Sequence, residues 1–391
     1  MIAFTFPGQG SQVPGIGAPW RDHPSWEVVN EASAACGRDV GALLLDADAD
    51  ELKATRNAQL STFVASLVVL DAIERVGVEP AAVAGHSLGE YTALVASGAL
   101  SFEDGCRLVT ERGEAMQAAA DEHEGSMCAV LGLGDDDVEV ACARVDGDVW
   151  VANYNGPGQV VVAGDPEALI ALNAVAKELG AKKVLPLPVS GAFHTPFMTP
   201  ARDRLRKALT SIDLRAGDRP VVANVDGKVH QKGADWAALL TTQLCSPVRW
   251  RQSLHTLDEL GVTRFVEIGP GSVLTGLAKR TLPGCGTNTV ATPDQLDRLL
   301  TTITDQPVGA TGAHEGEHLF ADERMVVSPA AGVFSPTSDL GDGAELSVGQ
   351  VLGRVGDHDV RSPFAGRVAG VLAVAGERVT ASQPIAWLRT S

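Results

Sequence analysis

The run Ala81-Ala82-Val83-Ala84 leads straight into Gly85-His86-Ser87-Leu88-Gly89, and a helical pattern follows with Leu88, Tyr91, Leu94 and Val95 on one face. Strand, GxSxG, helix is the local context of a nucleophile elbow at the edge of an α/β sheet, and it leaves few other folds open. The glycines permit a tight turn. The helix N-terminus then offers N–H groups and a positive dipole end to a developing oxyanion. The same pattern also describes a plain strand-to-helix turn with an N-capping serine, so a working hydroxyl needs a base elsewhere in the chain.

The surrounding sequence fits that class. Residues 1 to about 300 alternate strand-like runs with amphipathic stretches, and IAFTFPG at the start and RFVEIGPG at 264–271 again end in glycine-rich turns. This predicts an α/β fold with a largely parallel sheet and ligands gathered at the strand ends. Within it, residues 125–189 read as SMCAVLGL, a helix over 135–144, QVVVAG, a helix over 166–179 and KKVLPLPV. That order predicts an inserted ferredoxin-like subdomain between two parts of a large domain, 1–124 and 190–303. Residues 304–323 lose periodicity, as a linker does. His314 and His318 stand four apart there without further ligands, so no metal site is expected.

A formal net charge of −18 argues against bulk binding to nucleic acid or an anionic membrane. The apolar stretch FVASLVVL is cut by Asp71, too short to span a bilayer, and the N-terminus has no basic flank or cleavage pattern. Six cysteines at 36, 106, 128, 142, 245 and 285 form no CxxC pair, which suits free thiols in a reducing cytoplasm.

Two further residues carry chemistry. His194, in SGAFHTPF, sits between the strand KKVLPLPV and a helix starting near Thr199-Pro200. A lone loop histidine is commonly structural, and its case as a base rests on partnership with Ser87. His86 is adjacent in sequence but should diverge across the elbow. Arg112 falls on the same helical face as Leu108, Met116 and Ala119, while Arg107, Glu111 and Glu114 fall on the other; Ser101 and Asp104 mark the helix start. A core-facing guanidinium stays charged and must find an anion, either an internal acid or a substrate carboxylate.

These motifs occur in order with FPGQGSQ at 6–12, GHSLGEY at 85–91, NGPGQVVVAG at 155–164, LPLPVSGAFH at 185–194, SPVRW at 246–250 and EIGPGSVLTGL at 267–277. In that combination the first 300 residues resemble the malonyl-CoA:acyl carrier protein transacylases, the loading enzymes of bacterial fatty acid synthesis. The resemblance implies that Ser87 is acylated by malonyl-CoA with His194 as base, and that the acyl group passes to the phosphopantetheine thiol of acyl carrier protein. It also implies an oxyanion hole from the amides of Gln9 and Leu88, a carboxylate clamp at Arg112, and a backbone carbonyl orienting the imidazole, matched here to Arg249. Gln59 and Asn155 match pocket residues, and Phe193 stands where related polyketide enzymes that use malonyl carry phenylalanine. From charge alone, Lys279 and Arg280 are nominated for carrier docking, with Lys182 and Lys183 as a second pair. Rival readings are a loading transferase of a polyketide or other specialised pathway, a serine thioester hydrolase, and a non-catalytic scaffold.

The remaining segment, 324–391, contains a repeat. SPAAGV at 328–333 returns as SPFAGRV at 362–368, and GAELSVGQVLGRV at 343–355 as GERVTASQPIAWL at 376–388. Two similar β-rich halves predict a flattened barrel or sandwich. The segment resembles the biotinyl/lipoyl carrier domain without its attachment lysine, since the last lysine of the chain is Lys279 and the halves are joined by GDHDV. No biotin or lipoate is expected.

Overall fold

The structure is a computed structural model; it describes residues 1–231, 235–304, 323–338, 340–341, 343–356, 358–379 and 383–389. The chain divides near residue 307 into two compact units. The linker expected over 304–323, with His314 and His318, lies outside the described residues except at its ends.

The larger unit is built on a six-stranded sheet. Its order is Gly286–Val290, Arg264–Ile268, Ile2–Phe6, Ala82–Gly85, Val221–Val222 and Val229–His230. The first five strands run parallel and the last is antiparallel. Ile2–Phe6, Ala82–Gly85 and Arg264–Ile268, the three runs that the sequence marks by their glycine-rich ends, lie side by side in the middle. Helices cover both faces: Phe4, Phe6, Val83 and Val266 belong to one apolar core, Ala3, Ala82, Ala84 and Phe265 to another. That alternation is the period of two that a sheet buried on both sides requires. At a strand end, the buried carboxylate of Glu267 accepts from the Leu274 and Thr275 amides at 3.2 and 2.7 Å, capping the helix Val273–Thr281.

The inserted subdomain has strands Ser126–Leu131, Val149–Gly156, Gln159–Gly164 and Lys183–Pro186 with helices Asp135–Arg144 and Pro166–Glu178. Its sheet is antiparallel throughout, with the first strand between the third and the fourth, as the ferredoxin-like expectation requires. Val130, Val160 and Val162 pack on its own helices, whereas Met127, Ala129, Val161 and Ala163 join the core of the large domain. The backbone of Val248 bonds Ala152 and Tyr154 at 2.9 Å each, which ties the subdomain to the large domain beside the elbow.

No helix among the described residues is long and apolar enough to cross a membrane. The cysteines are all free.

The C-terminal unit is all β. Two four-stranded antiparallel sheets enclose a core of Phe334, Leu352, Val355, Val368, Ile385 and Leu388. The repeat is structural as well as sequential. Buried Ser328 donates to the Ala330 carbonyl at 2.6 Å, and Ser362 does the same to Phe364 at 2.6 Å.

Candidate active site

The elbow is dictated by contacts that leave no room for side chains. A Cβ on Gly85 would lie 1.9 Å from the Gly89 carbonyl, and one on Gly89 would lie 2.1 Å from the Phe6 carbonyl. Both glycines are therefore required by backbone approach. A Gly89→Ala variant should lose about 3 kcal/mol or more of stability, read as a lower urea midpoint, because the obstructing atoms are main chain and cannot move aside.

Between these glycines, Ser87 has φ of 53°. The only other non-glycine residue with left-handed φ among the described residues is His194, at 62°. Such strain costs roughly 1–3 kcal/mol per residue and persists where surrounding structure enforces it. Here the enforcement is visible. Asn224 accepts from the Ser87 amide at 2.7 Å and donates to the Gly85 carbonyl at 2.7 Å, clasping the turn from below.

The two strained residues face one another. Ser87 Oγ lies 2.8 Å from His194 Nε2, and His194 Nδ1 lies 2.9 Å from the Gln243 carbonyl. A carbonyl only accepts, so Nδ1 carries the proton and Nε2 is the open acceptor aimed at the serine hydroxyl. His86 diverges as expected. Its ring turns onto Trp250 with centroids 5.6 Å apart, and its Nε2 meets Asn155 Oδ1 at 2.8 Å.

The orienting carbonyl corrects one expectation. It belongs to Gln243, not Arg249. The Arg249 carbonyl instead receives Ser253 N at 2.9 Å and Ser253 Oγ at 3.1 Å, opening the helix Trp250–Glu259, and its side chain turns to the Val225 carbonyl. Gln243 ends the helix Trp236–Gln243 six residues earlier.

Arg112 completes the group. Ser101 caps the helix Phe102–Glu122 by accepting from Asp104 N at 3.1 Å, which sets the phase that buries Leu108, Arg112, Met116 and Ala119 together. Arg112 is 1% exposed. It donates to Gln59 Oε1 at 2.6 Å, Gln243 Oε1 at 3.0 Å and Ser87 Oγ at 3.2 Å, while its Nε has no partner. It makes no ion pair among the described residues, and every acceptor it touches is neutral. The Tyr91 ring supports it from one side, 5.2 Å from centroid to guanidinium carbon. A desolvated cation held on amide and hydroxyl oxygens is poised for an external anion.

The Leu88 and Gln9 amides form no hydrogen bond among the described residues, while their neighbours Ser87, Gly89 and Glu90 are all bonded. The Gln9 loop lies against the elbow, since a Cβ on Gly8 would come within 2.6 Å of the His86 carbonyl. Gln59 touches Arg112; Asn155 touches His86 rather than Ser87. The Phe193 ring packs over Gly191 beside Ala120. Lys279 and Arg280 are exposed at the end of Val273–Thr281 and make no ion pair among the described residues. Nothing among the described residues groups three or more metal-ligating acids, histidines or cysteines. Sequence reasoning missed Gln243, Asn224 and Glu90. Only Glu90 stood inside a recognised motif; the other two lie in segments whose periodicity carries no sign of a site.

Electrostatics keep the resting base unprotonated. Burial, and then the Arg112 cation, push the His194 imidazole down to about 3, against the opposing bond to Gln243. The resting ring is therefore neutral. Its stability effect follows from linkage: the unfolded histidine protonates near pH 6.5, the native one only far below. The contribution is complete above 6.5 and lost as pH falls toward 3. Burial moves His86 in the same direction. Glu90 opposes them, because burial raises its carboxyl to about 7 and the native state takes up a proton first on acidification. A His194→Gln variant should therefore lose less stability than the parent between pH 6.5 and 5, by up to about 1.4 kcal/mol per pH unit. Urea melts across that range read the difference.

A serine–histidine pair at an elbow, beside a buried arginine that contacts no acid among the described residues, is an arrangement suited to transferring a carboxylated acyl group. The acyl transferase domain family matches residues 3–304, and the chain belongs to that family. Within it, the chain is similar to the malonyl CoA-acyl carrier protein transacylase of Bacillus subtilis (strain 168). The two are 39% identical over 310 residues, 78% of this chain and 98% of that one. The crystal structure of acyl-carrier-protein S-malonyltransferase from Burkholderia pseudomallei 1710b superposes with a TM-score of 0.74 at 42% identity, covering 77% of this chain and 99% of that one. A malonyl-transacylase solved in complex with its type II polyketide acyl-carrier protein gives 0.74 at 38% identity, covering 77% and 99%. The family match ends before the C-terminal unit.

Proposed function

We propose that the chain moves a malonyl group from malonyl-CoA to the phosphopantetheine thiol of an acyl carrier protein through a malonyl ester on Ser87. One observation carries the reading: Ser87 Oγ lies within hydrogen-bond reach of both an unprotonated imidazole nitrogen, at 2.8 Å, and a buried guanidinium with no acid partner among the described residues, at 3.2 Å.

In the first half-reaction Ser87 attacks the thioester carbonyl as its proton passes to His194 Nε2. The tetrahedral oxyanion is met by the Gln9 and Leu88 amides. On collapse the C–S bond breaks, and the proton returns from His194 to the CoA thiolate. The malonyl carboxylate sits on Arg112, and its negative charge offsets the cation that otherwise suppresses an imidazolium. The substrate thus raises the basicity of the ring that must deprotonate the serine. In the second half-reaction the carrier thiol gives its proton to His194 and attacks the ester; the C–O bond then breaks and His194 returns the proton to Ser87 Oγ. Two acceptors at one serine make the kinetics ping-pong.

Gln59 and Gln243 hold Arg112 in place, Asn155 fixes His86 behind the elbow, and Phe193 crowds an α-methyl branch. One methyl is worth about 1–3 kcal/mol, so malonyl is preferred over methylmalonyl without absolute exclusion. Lys279 and Arg280 are candidates for meeting an acidic carrier. Thioesters are already activated and the reading needs no metal or cofactor. Free thiols fit a cytoplasmic setting. The C-terminal unit is read as a biotinyl/lipoyl-like module that cannot carry either group, because no lysine follows Lys279.

The test is CoA release from malonyl-CoA with and without holo-carrier protein. Carrier-dependent turnover and malonyl-carrier product are expected, whereas equal CoA release and free malonate without carrier would identify a hydrolase. Parallel carriers from fatty acid and polyketide synthesis decide the pathway.

A further inference from the structure

Glu90 lies one turn beyond Ser87 in the helix Gly89–Ala96 and is 1% exposed. Its two oxygens accept from two different donors, the backbone N of Asn224 at 2.7 Å and Gln243 Nε2 at 2.5 Å. It makes no ion pair among the described residues. A buried carboxylate that contacts no cation, with Arg112 reached only through Gln243, is a cost to folding, so its presence calls for a reason other than stability.

The donors supply that reason. Asn224 clasps the elbow through Ser87 N and the Gly85 carbonyl. The Gln243 side chain donates to the Ser87 carbonyl at 2.8 Å as well as to Glu90, and its Oε1 accepts from Arg112 at 3.0 Å. An amide has two faces, and only one orientation presents oxygen to Arg112. Glu90, together with the Ser87 carbonyl, selects it by demanding N–H from Gln243.

Glutamine at position 90 cannot meet both demands. The Asn224 amide is fixed in the backbone, so the glutamine oxygen must serve it and its NH2 must face Gln243 Nε2. Two donors then oppose each other. Turning the Gln243 amide over relieves that clash but points N–H at the Arg112 cation and oxygen at the Ser87 carbonyl. The error is thus passed from Glu90 to Arg112, while the Gln243 backbone carbonyl on His194 stays where it is.

We infer that Glu90 is a positioning residue that locks the Gln243 amide with its oxygen toward Arg112 and so sets the preference for a carboxylated acyl group. The inference rests on the malonyl reading above and deepens it.

The test compares kcat/KM for malonyl-CoA and acetyl-CoA, with holo-carrier as acceptor, in the parent chain and in Glu90→Gln, after thermal melts establish that the variant is folded. The malonyl value should fall roughly 30-fold and the acetyl value less than about threefold, so the ratio drops about tenfold, in line with one disturbed charge-assisted contact. General loosening of the fold lowers both values together and leaves the ratio alone. A folded variant whose ratio matches the parent overturns the inference, whatever its absolute rate. If Glu90→Gln does not accumulate folded, Glu90→Asp keeps the charge but is too short for both bonds; a reduced ratio supports the inference and an unchanged one contradicts it. A parent chain unable to malonylate carrier at all would sink the underlying function instead, a result distinct from either.

Discussion

A His194→Ala variant should transfer malonyl roughly 10²–10⁴-fold more slowly than the parent, the usual contribution of a positioned general base. The geometry fixes which proton is lost. Nδ1 is committed to the Gln243 carbonyl at 2.9 Å, so Nε2 alone can take the proton from Ser87 Oγ at 2.8 Å. In the proposed mechanism both half-reactions use this nitrogen, once for the serine and once for the carrier thiol. A single-turnover experiment with malonyl-CoA should therefore show slowed acylation, and pre-formed malonyl-enzyme should show slowed discharge to carrier. The second step should recover in part at high pH, because a thiol ionises near 8.5 without help whereas a serine hydroxyl does not. An equal defect in both steps at every pH would mean that the ring is not acting as a base toward the thiol.

An Arg112→Met variant should melt no lower than the parent and yet lose malonyl transfer by roughly 10- to 150-fold, the equivalent of a charge-assisted bond worth about 1.5–3 kcal/mol. The two halves of this expectation have one origin. The guanidinium is buried and, among the described residues, is partnered by Gln59, Gln243, Ser87 and the face of Tyr91. Replacing a buried charge that no acid contacts by an apolar side chain of similar length relieves the folded state, which offsets the lost bonds to Gln59 and Gln243. Selectivity should collapse with activity, bringing malonyl-CoA and acetyl-CoA to comparable kcat/KM. A large drop in melting temperature would show instead that the cation is there to hold the protein together.

Much of this site is legible in the chain. GxSxG fixes the elbow because Gly85 and Gly89 meet main chain where any side chain would stand. Helical phase from Ser101 places Arg112 inward. Order and spacing also give the inserted βαββαβ unit and the internal repeat of the C-terminal unit. What escapes is contact between distant segments. The resemblance matches the His194 carbonyl partner to Arg249, but a backbone carbonyl has no residue signature, and only the course of the chain after Gln243 decides which one arrives. Asn224 is invisible for a related reason. Its role is to clasp a turn 137 residues away in sequence, and its own surroundings are an ordinary loop. Glu90 lay in view inside GHSLGEY, yet its helix turn gives no hint that its two oxygens reach Asn224 and Gln243.

The most direct measurement is intact-mass and peptide-mapping analysis of the enzyme mixed with malonyl-CoA in the absence of carrier, then again after holo-carrier is added. One malonyl group per chain, located on Ser87, absent from Ser87→Ala and lost to the carrier on its addition, is the result this geometry predicts. Carrier malonylation proceeding with no adduct at Ser87, or undiminished in Ser87→Ala, would contradict it.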